Sequence, residues 1–498
     1  MDLVKGLHSV LGEGSLLAYL VSIALRTTEI QRVLKPTGSF YLHCDPTASH
    51  YLKLVMDAVF CSQGGDFLSE VIWRRTGSHN KAKRWAPIHD VIFFYVKGAK
   101  FTWNKPRQPY MLGHVKEFCT PDGKGGYRTN YYGNVLTGSG TRNGESGKDW
   151  MGFDPTAKGR HWAIPGAIWD EVGIDPDGLT QHEKLDLLYK QGFITITPGE
   201  AWPIYEMAIR PSSGPATSDI WSFQPYTNGT VFGTKDGIDE DVRWLSPRDQ
   251  ERLGYPTQKP EGLLDRIIRA STNEGDVVLD AYCGCGTTVA VAHRLKRQWI
   301  GIDITYQSIS LVLRRLEERF GSEALASVKT DGIPQDMESA EALAHKKDDR
   351  LRKEFEKWAI LTYTNNRAVI NEKKGADAGI DARAYFQTGA KDNAKVILQV
   401  KSGFVKRGDV ATLRGDMERE KAAMAVLITL AKPSAPMVRE AKAAGQFEHA
   451  LMGKSYDRIA IVTIEDIVEH GRRLDVPMSL EVLKAAKLAA DAHQIDLI

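Results

Sequence analysis

The sequence has little cysteine. Cys44, Cys61, Cys119, Cys283 and Cys285 are the 5 present in 498 residues, an odd number without a C-x-x-C pair, which argues against a disulfide framework and against a zinc site. A long apolar run is also missing. Leu16 to Leu25 is short, has no basic stretch before it and is followed by Arg26 instead of a small-residue cleavage site. Neither a signal peptide nor a membrane span is expected, and the expected location is cytoplasmic. Charge of one sign is lacking too: 65 basic against 63 acidic residues leave a net charge of +2, so any polyanion partner must be met by a local basic surface. No internal repeat or low-complexity segment occurs.

What is present is the composition of an ordinary globular protein, 42% hydrophobic and 26% charged. The length suggests about two to four domains at roughly 150 residues each. One stretch, Tyr255 to Thr305, changes its apolar period three times. Leu263, Leu264, Ile267 and Ile268 fall at helical spacing, and Val277 to Leu279 is a short apolar run between Gly275-Asp276 and the glycines Gly284 and Gly286, which predicts a helix and then a buried strand. Thr287 to Lys296 predicts a second helix and Trp299 to Ile304 a second strand. The unit is a βαβ with a glycine-rich turn. Gly284 and Gly286 let the backbone pass close to a ligand, and Asp303, about 20 residues on, can accept from the two hydroxyls of a ribose. The third glycine of the dinucleotide fingerprint is missing, which speaks for an adenosine-type cofactor over a pyrophosphate.

The blocks T-Q-K-P (Thr257 to Pro260), D-A-Y-C-G-C-G-T (Asp280 to Thr287) and W-I-G-I-D (Trp299 to Asp303), in that order, resemble the amino-methylating DNA methyltransferases of the permuted β class. The resemblance implies an α/β chain with a Rossmann-like S-adenosylmethionine-dependent methyltransferase fold and an inserted target-recognition region. It also implies that Thr257, Lys259, Pro260, Asp280, Tyr282, Cys283, Gly284, Gly286 and Thr287 bind S-adenosylmethionine, with Asp303 on the ribose. Ala281 and Tyr282 stand where the family usually has Pro and Phe. Cys283 and Cys285 are expected to pack rather than to react.

Elsewhere, apolar spacing predicts a helix over Leu16 to Leu34, a strand over Ser39 to Cys44, a helix to Phe60, and strands over Leu68 to Trp73 and Asp90 to Val96. Arg32 to Lys53 again resembles the β class. Trp73 to Trp85 interleaves Arg74, Arg75, Lys81, Lys83 and Arg84 with two Trp and a His; cations for phosphates beside aromatics for bases make it the expected contact with double-stranded DNA. Residues 98–252 show no sustained period. The expected domains are 1–97, an incomplete first part of the catalytic fold; 98–252, target recognition, where Trp150 to Trp162 is similar to the same subgroup; 253–335, cofactor binding; and 350–498.

The last of these reads as a different α/β unit: strand Lys395 to Lys401, helix Asp409 to Glu420, strand Ala422 to Leu430, a helix from Ala435 and an apolar run Ile459 to Ile464. Gln399 and Lys401 share a strand face, with Val396, Leu398 and Val400 turned to the core. With Asp381 they resemble the D…(E/Q)-x-K core of Mrr-like restriction endonucleases, and Phe355-Glu356 resembles the helical F-E that precedes it. The resemblance implies a restriction-endonuclease-like domain with Asp381, Gln399, Lys401 and Glu356 as catalytic residues and Mg²⁺ on Asp381 and Gln399. Asp377 reads as a turn former.

One motif is absent. The β class fixes the target amine with D-P-P-Y or S/N-P-P-Y, and no such tetrapeptide occurs here; Asp45-Pro46 and Asp154-Pro155 lack the aromatic. The motif is expected upstream of Met1, and a misplaced start, a truncated gene or a split enzyme would each account for that. A homodimer or a partner chain is then expected to supply it. The expected function is site-specific DNA amino-methylation within a restriction-modification system, adenine N6 ahead of cytosine N4, with an Mg²⁺-dependent endonuclease domain. The alternative is a DNA-binding or specificity remnant without methyl transfer.

Overall fold

The computed structural model describes all residues except 1, 77–82, 122–126, 132, 210–213, 215, 222–241, 243, 247–248, 254, 256, 372–378, 390–391 and 479–498. It forms two units, residues 1–244 with 269–272, and residues 245–268 with 273–498.

In the first unit, helices α1 (Asp2–Leu11) and α2 (Ser15–Val33) precede strand β1 (Ser39–Cys44), helix α3 (Pro46–Phe60) and strands β2 (Asp66–Arg74) and β3 (His89–Val96). Asp45 starts α3, its carboxylate accepting from the Thr47 amide at 2.7 Å, with Pro46 in the first turn where its missing N–H costs nothing. β3 lies between β1 and β2, antiparallel to both, in the register Leu42↔Phe93 and Ile72↔Val91. A central strand is covered on both faces, and H-D-V-I-F-F-Y-V is buried from Asp90 onward. One face packs Phe93 and Tyr95 against Leu20, Leu52, Met56 and Phe60; the other stacks Phe94 on Tyr41, centroids 4.5 Å apart.

Region 98–252, without a sustained period in the sequence, contains short helices and strands, and its residues up to 244 group with the first unit. Helix α4 (Leu112–Phe118) and strands β4 (Cys119–Pro121), β5 (Tyr127–Tyr131), β6 (Thr137–Ser139) and β7 (Arg160–Trp162) are followed by helices α5 (Gly166–Val172) and α6 (Gln181–Lys190) and strands β8 (Ile194–Thr195), β9 (Ile204–Ile209) and β10 (Ile220–Trp221). Strands pair in the order β4-β5-β9-β8, and β10 extends the first sheet alongside β2. Trp150, Phe153 and Trp162 form its core with Trp169, Leu185 and Leu188. The Trp150 indole donates to Asp186 at 2.9 Å and that of Trp162 to the Lys148 carbonyl at 3.0 Å. The Trp150 to Trp162 motif is therefore a packing motif.

The second unit begins with helix α7 (Glu261–Ser271), whose last residues group with the first unit. Strand β11 (Val277–Asp280), helix α8 (Thr287–Arg294), strand β12 (Gln298–Gly301) and helix α9 (Tyr306–Phe320) follow. β11 and β12 are parallel. Val278 and Trp299 pack on Ile268, Val291 and Leu295, while Val277 and Ile300 on the alternate face are 45% and 52% exposed. The strand expected to be buried is thus covered on one side of this unit only.

Helices α10 (Met337–Ala344) and α11 (Asp349–Tyr363) lead to strands β13 (Val369–Ile370), β14 (Ala382–Gln387) and β15 (Asn393–Lys401), then helix α12 (Arg407–Arg419), strand β16 (Met424–Thr429), helix α13 (Ala435–Lys442), the hairpin β17 (Gln446–His449) and β18 (Lys454–Asp457), strand β19 (Ile459–Thr463) and helix α14 (Ile464–Val468). The sheet order is β13-β14-β15-β16-β19, antiparallel up to β15 and parallel from there. Val396, Leu398 and Val400 pack under α11 with Phe355 and Trp358, as the strand periodicity requires. The opposite face is buried too: Ile397 packs under α12 with Val410 and Leu413, and Gln399 is 5% exposed.

Candidate functional site

The glycine turn between β11 and α8 is held from both ends by carboxylates. Asp280, the last residue of β11, accepts from the Tyr282 amide at 3.0 Å and from the Thr288 hydroxyl at 2.6 Å. Asp303, just beyond β12, accepts from the Gly284 amide at 3.1 Å on one oxygen, and from the Thr305 amide at 2.9 Å and hydroxyl at 3.1 Å on the other. Gly284 and Gly286 have φ of +49° and +74°, and a Cβ on Gly286 would sit 2.7 Å from a Val312 methyl. Both glycines are required by the backbone path. Cys283 and Cys285 are buried. Burial, with the charges of Asp280 and Asp303, pushes the Cys283 thiol up to about 12, and burial raises Cys285 as well, so both are neutral packing groups. The Tyr282 ring is 53% exposed beside the turn.

The Thr257 to Pro260 block reaches the same turn. The Thr287 hydroxyl donates to the Lys259 carbonyl at 3.2 Å, and Gln258 closes its own loop by accepting from the Leu253 amide and donating to the Glu251 carbonyl. Thr257 is exposed, Lys259 half-buried and Pro260 buried. Sequence reasoning missed the residue that ties these pieces. Arg315 of α9 donates to the Thr287 hydroxyl at 3.0 Å, to Glu261 at 2.7 Å and to Glu251 at 3.4 Å, with its side chain 4% exposed. Arg319 is the second cation on Glu261. Glu251 in turn accepts from the Glu261 amide at 2.9 Å at the start of α7.

Of the expected DNA contacts, Arg74 lies over the Trp244 ring at 5.6 Å and Arg75 is 3.0 Å from Asp90, so both make contacts inside their own unit. Lys83, Arg84 and Trp85 are exposed, Trp85 almost completely. Lys81 falls outside the described residues, as does Asp377. Buried Asp90 also meets His43 at 2.8 Å, a pair that sequence reasoning did not single out. The D-P dipeptides are structural: Asp45 caps α3, Asp154 accepts from the Ala157 amide at 3.1 Å, and Asp175 of a third, Asp175-Pro176, accepts from the Asp177 amide at 3.0 Å.

In the C-terminal sheet Asp381 immediately precedes β14, and Gln399 and Lys401 lie on the neighbouring β15. Asp381 accepts from the Val400 amide at 2.8 Å, and the Gln399 carboxamide donates to the Gly379 carbonyl at 2.6 Å. Burial pushes the Glu356 carboxyl above its usual range; the Asp381 charge adds to this, while Lys353 and Lys401 oppose it. Mg²⁺ wants several hard, mostly anionic oxygens in a near-octahedral set. Asp381 is tied to the Val400 amide, and Gln399 is neutral and donates to the Gly379 carbonyl, so the residues present fit Mg²⁺ poorly. Among the described residues no three His, Cys, Asp or Glu converge on a metal position.

Residues 11–314 match the family model described as DNA methylase, N6_N4_Mtase, and residues 351–469 match that described as NACHT-associated inactive Restriction Endonuclease 1. Among curated proteins, the type II methyltransferase M.EcaI of Enterobacter cloacae is 28% identical over 60% of this chain and 57% of its own length. DNA adenine methyltransferase YhdJ of Escherichia coli (strain K12) is 45% identical over 21% of this chain and 35% of its own. The type II methyltransferase M2.DpnII of Streptococcus pneumoniae is 56% identical over 13% and 24%. The chain thus spans 57% or less of the length of each of these relatives.

Proposed function

The chain belongs to the N6/N4 DNA methylase family, and from that premise we propose that it binds S-adenosylmethionine at the Asp280 to Asp303 turn and acts in methylation of an exocyclic amine of double-stranded DNA, adenine N6 ahead of cytosine N4. The observation that carries this is the closure of the glycine turn on Asp303. Gly284 and Thr305 orient that carboxylate through three hydrogen bonds, which leaves an acceptor site for a ribose hydroxyl on the oxygen that meets Gly284. Tyr282, exposed beside the turn, offers a face for the adenine. When bound, the cofactor supplies an electrophilic methyl on sulfur; the task of this chain is to hold it in a fixed orientation and to keep the turn from collapsing. Of the three curated relatives named above, two carry type II methyltransferase names, which supports a restriction-modification setting.

The tetrapeptide that fixes the target amine in the β class does not occur in this sequence, and the three D-P dipeptides are committed to caps and turns. We therefore propose that the groups that hold the amine are supplied from outside these 498 residues. For the C-terminal sheet the geometry favours DNA binding over cleavage. The poor fit to Mg²⁺ supports this, as does the match to a family described as inactive. Lys401 then serves as a phosphate contact.

One experiment addresses both halves. Mixed-sequence duplex DNA is incubated with the chain, tritiated S-adenosylmethionine and Mg²⁺. Label recovered as N6-methyladenine without strand cutting is expected once a second methylase chain carrying D-P-P-Y is added. Label that never appears in that reconstitution favours the remnant alternative. Mg²⁺-dependent cutting that is lost in Lys401→Ala would instead establish an active nuclease.

A further inference from the structure

α9 begins three residues after Asp303, and its first turn is held by a residue from the C-terminal segment. Thr305 caps the helix, its hydroxyl accepting from the Ser308 amide at 3.2 Å while its own amide and hydroxyl bind Asp303. The next amide, Tyr306 N–H, has no partner within α9, as is general for the first turn of a helix. It donates to a carboxylate oxygen of Glu354 on α11 at 2.8 Å. Glu354 is 17% exposed and is steadied by Lys357 at 2.8 Å. A carboxylate at this end of a helix also meets the positive end of the helix dipole. Around it, the Tyr306 hydroxyl shares a hydrogen bond with Thr362 at 3.2 Å, and Arg367 pairs with Glu317 at 3.0 Å. α9 and α11 therefore share a packed, polar-stitched face within one unit.

Glu354 belongs to the segment matched by the endonuclease-like family model, and Tyr306 to that matched by the methylase model. We propose that Glu354 is a positioning residue of the S-adenosylmethionine site, and that the C-terminal segment is thereby a working part of that site. Its carboxylate fixes the first turn of α9, Thr305 hangs from that turn, and Thr305 supplies two of the three hydrogen bonds that orient Asp303. Loss of Glu354 frees the first turn and lets Asp303 rotate away from the ribose hydroxyls. α11 also carries Glu356, two residues further on, whose carboxyl feels the charges of Asp381 and Lys401. The inference rests on the cofactor reading above.

The test is calorimetric titration of the full-length chain with S-adenosylmethionine, with the melting temperature of each variant measured alongside. Glu354→Ala is expected to raise Kd about tenfold, the effect of one charge-assisted hydrogen bond. Glu354→Gln, whose amide oxygen still accepts from Tyr306 N–H, should recover most of the affinity. Thr362→Val loosens the same interface without touching the α9 amide, and should lower the melting temperature with Kd unchanged. A Glu354→Ala chain that melts lower but binds like the parent overturns the proposal, as does a Thr362→Val chain that loses as much affinity. If the parent does not bind, or Asp303→Ala binds equally well, the cofactor reading falls and this inference with it.

Discussion

Arg315 shows what a residue can do without being visible in the sequence. On an amphipathic helix with charged neighbours it reads as one more solvated cation, because its partners Glu251 and Glu261 lie 64 and 54 positions away. The glycine turn, by contrast, was legible residue by residue: positive φ at Gly284 and Gly286 and the Asp280 turn are local chemistry. Arg315→Gln leaves Glu251 and part of Glu261 buried without their cation. Breaking a buried pair on one side costs about 3–5 kcal/mol, less here because Arg319 still meets Glu261, so a loss of about 3 kcal/mol is expected in urea unfolding with an unchanged slope. A loss below about 0.5 kcal/mol would show that the network is slack.

Among the elements, those that came through from the sequence are the ones whose pattern is long and whose core is local. β1 was expected over its observed residues, and β3, β15 and β16 to within two residues at either end, from their apolar runs. β4 to β9 were not, since strands of two to six residues joined across wide separations show no period; β5 pairs with β9 through Tyr127↔Ile209. The aromatic core they enclose was equally hidden. The burial of both faces of β15 has a titration consequence next door. Glu356 holds its proton more tightly in the folded chain than in the unfolded one, whose value is near 4.5, so its ionisation weakens folding. Stability from this group is present at low pH and is lost as pH rises through the raised folded value. Glu356→Gln should therefore melt higher than the parent at pH 8, the two converging toward pH 4. A parent that is the more stable at pH 8 would mean that Lys353 and Lys401 hold Glu356 ionised.

At the scale of the whole molecule, the last part of the methylase segment and the endonuclease-like segment, which sequence motifs separate, are packed in one unit, residues 245–268 with 273–498. The motifs pointed to a glycine turn in one segment and a nuclease-like sheet in the other but not to their joint, because Glu354 and Tyr306 belong to different patterns and neither pattern needs the other. No helix among the described residues is long and apolar enough to cross a membrane. The account stands on one site: a turn whose geometry is set by Asp280, two glycines and Asp303, held open for an adenosine-type cofactor. Calorimetric titration of the purified chain with S-adenosylmethionine, parent against Asp303→Ala, tests this most directly. Saturable one-site binding is expected, weakened at least tenfold in Asp303→Ala, about 1.4 kcal/mol or more. Absence of binding, or equal affinity in the variant, would contradict it.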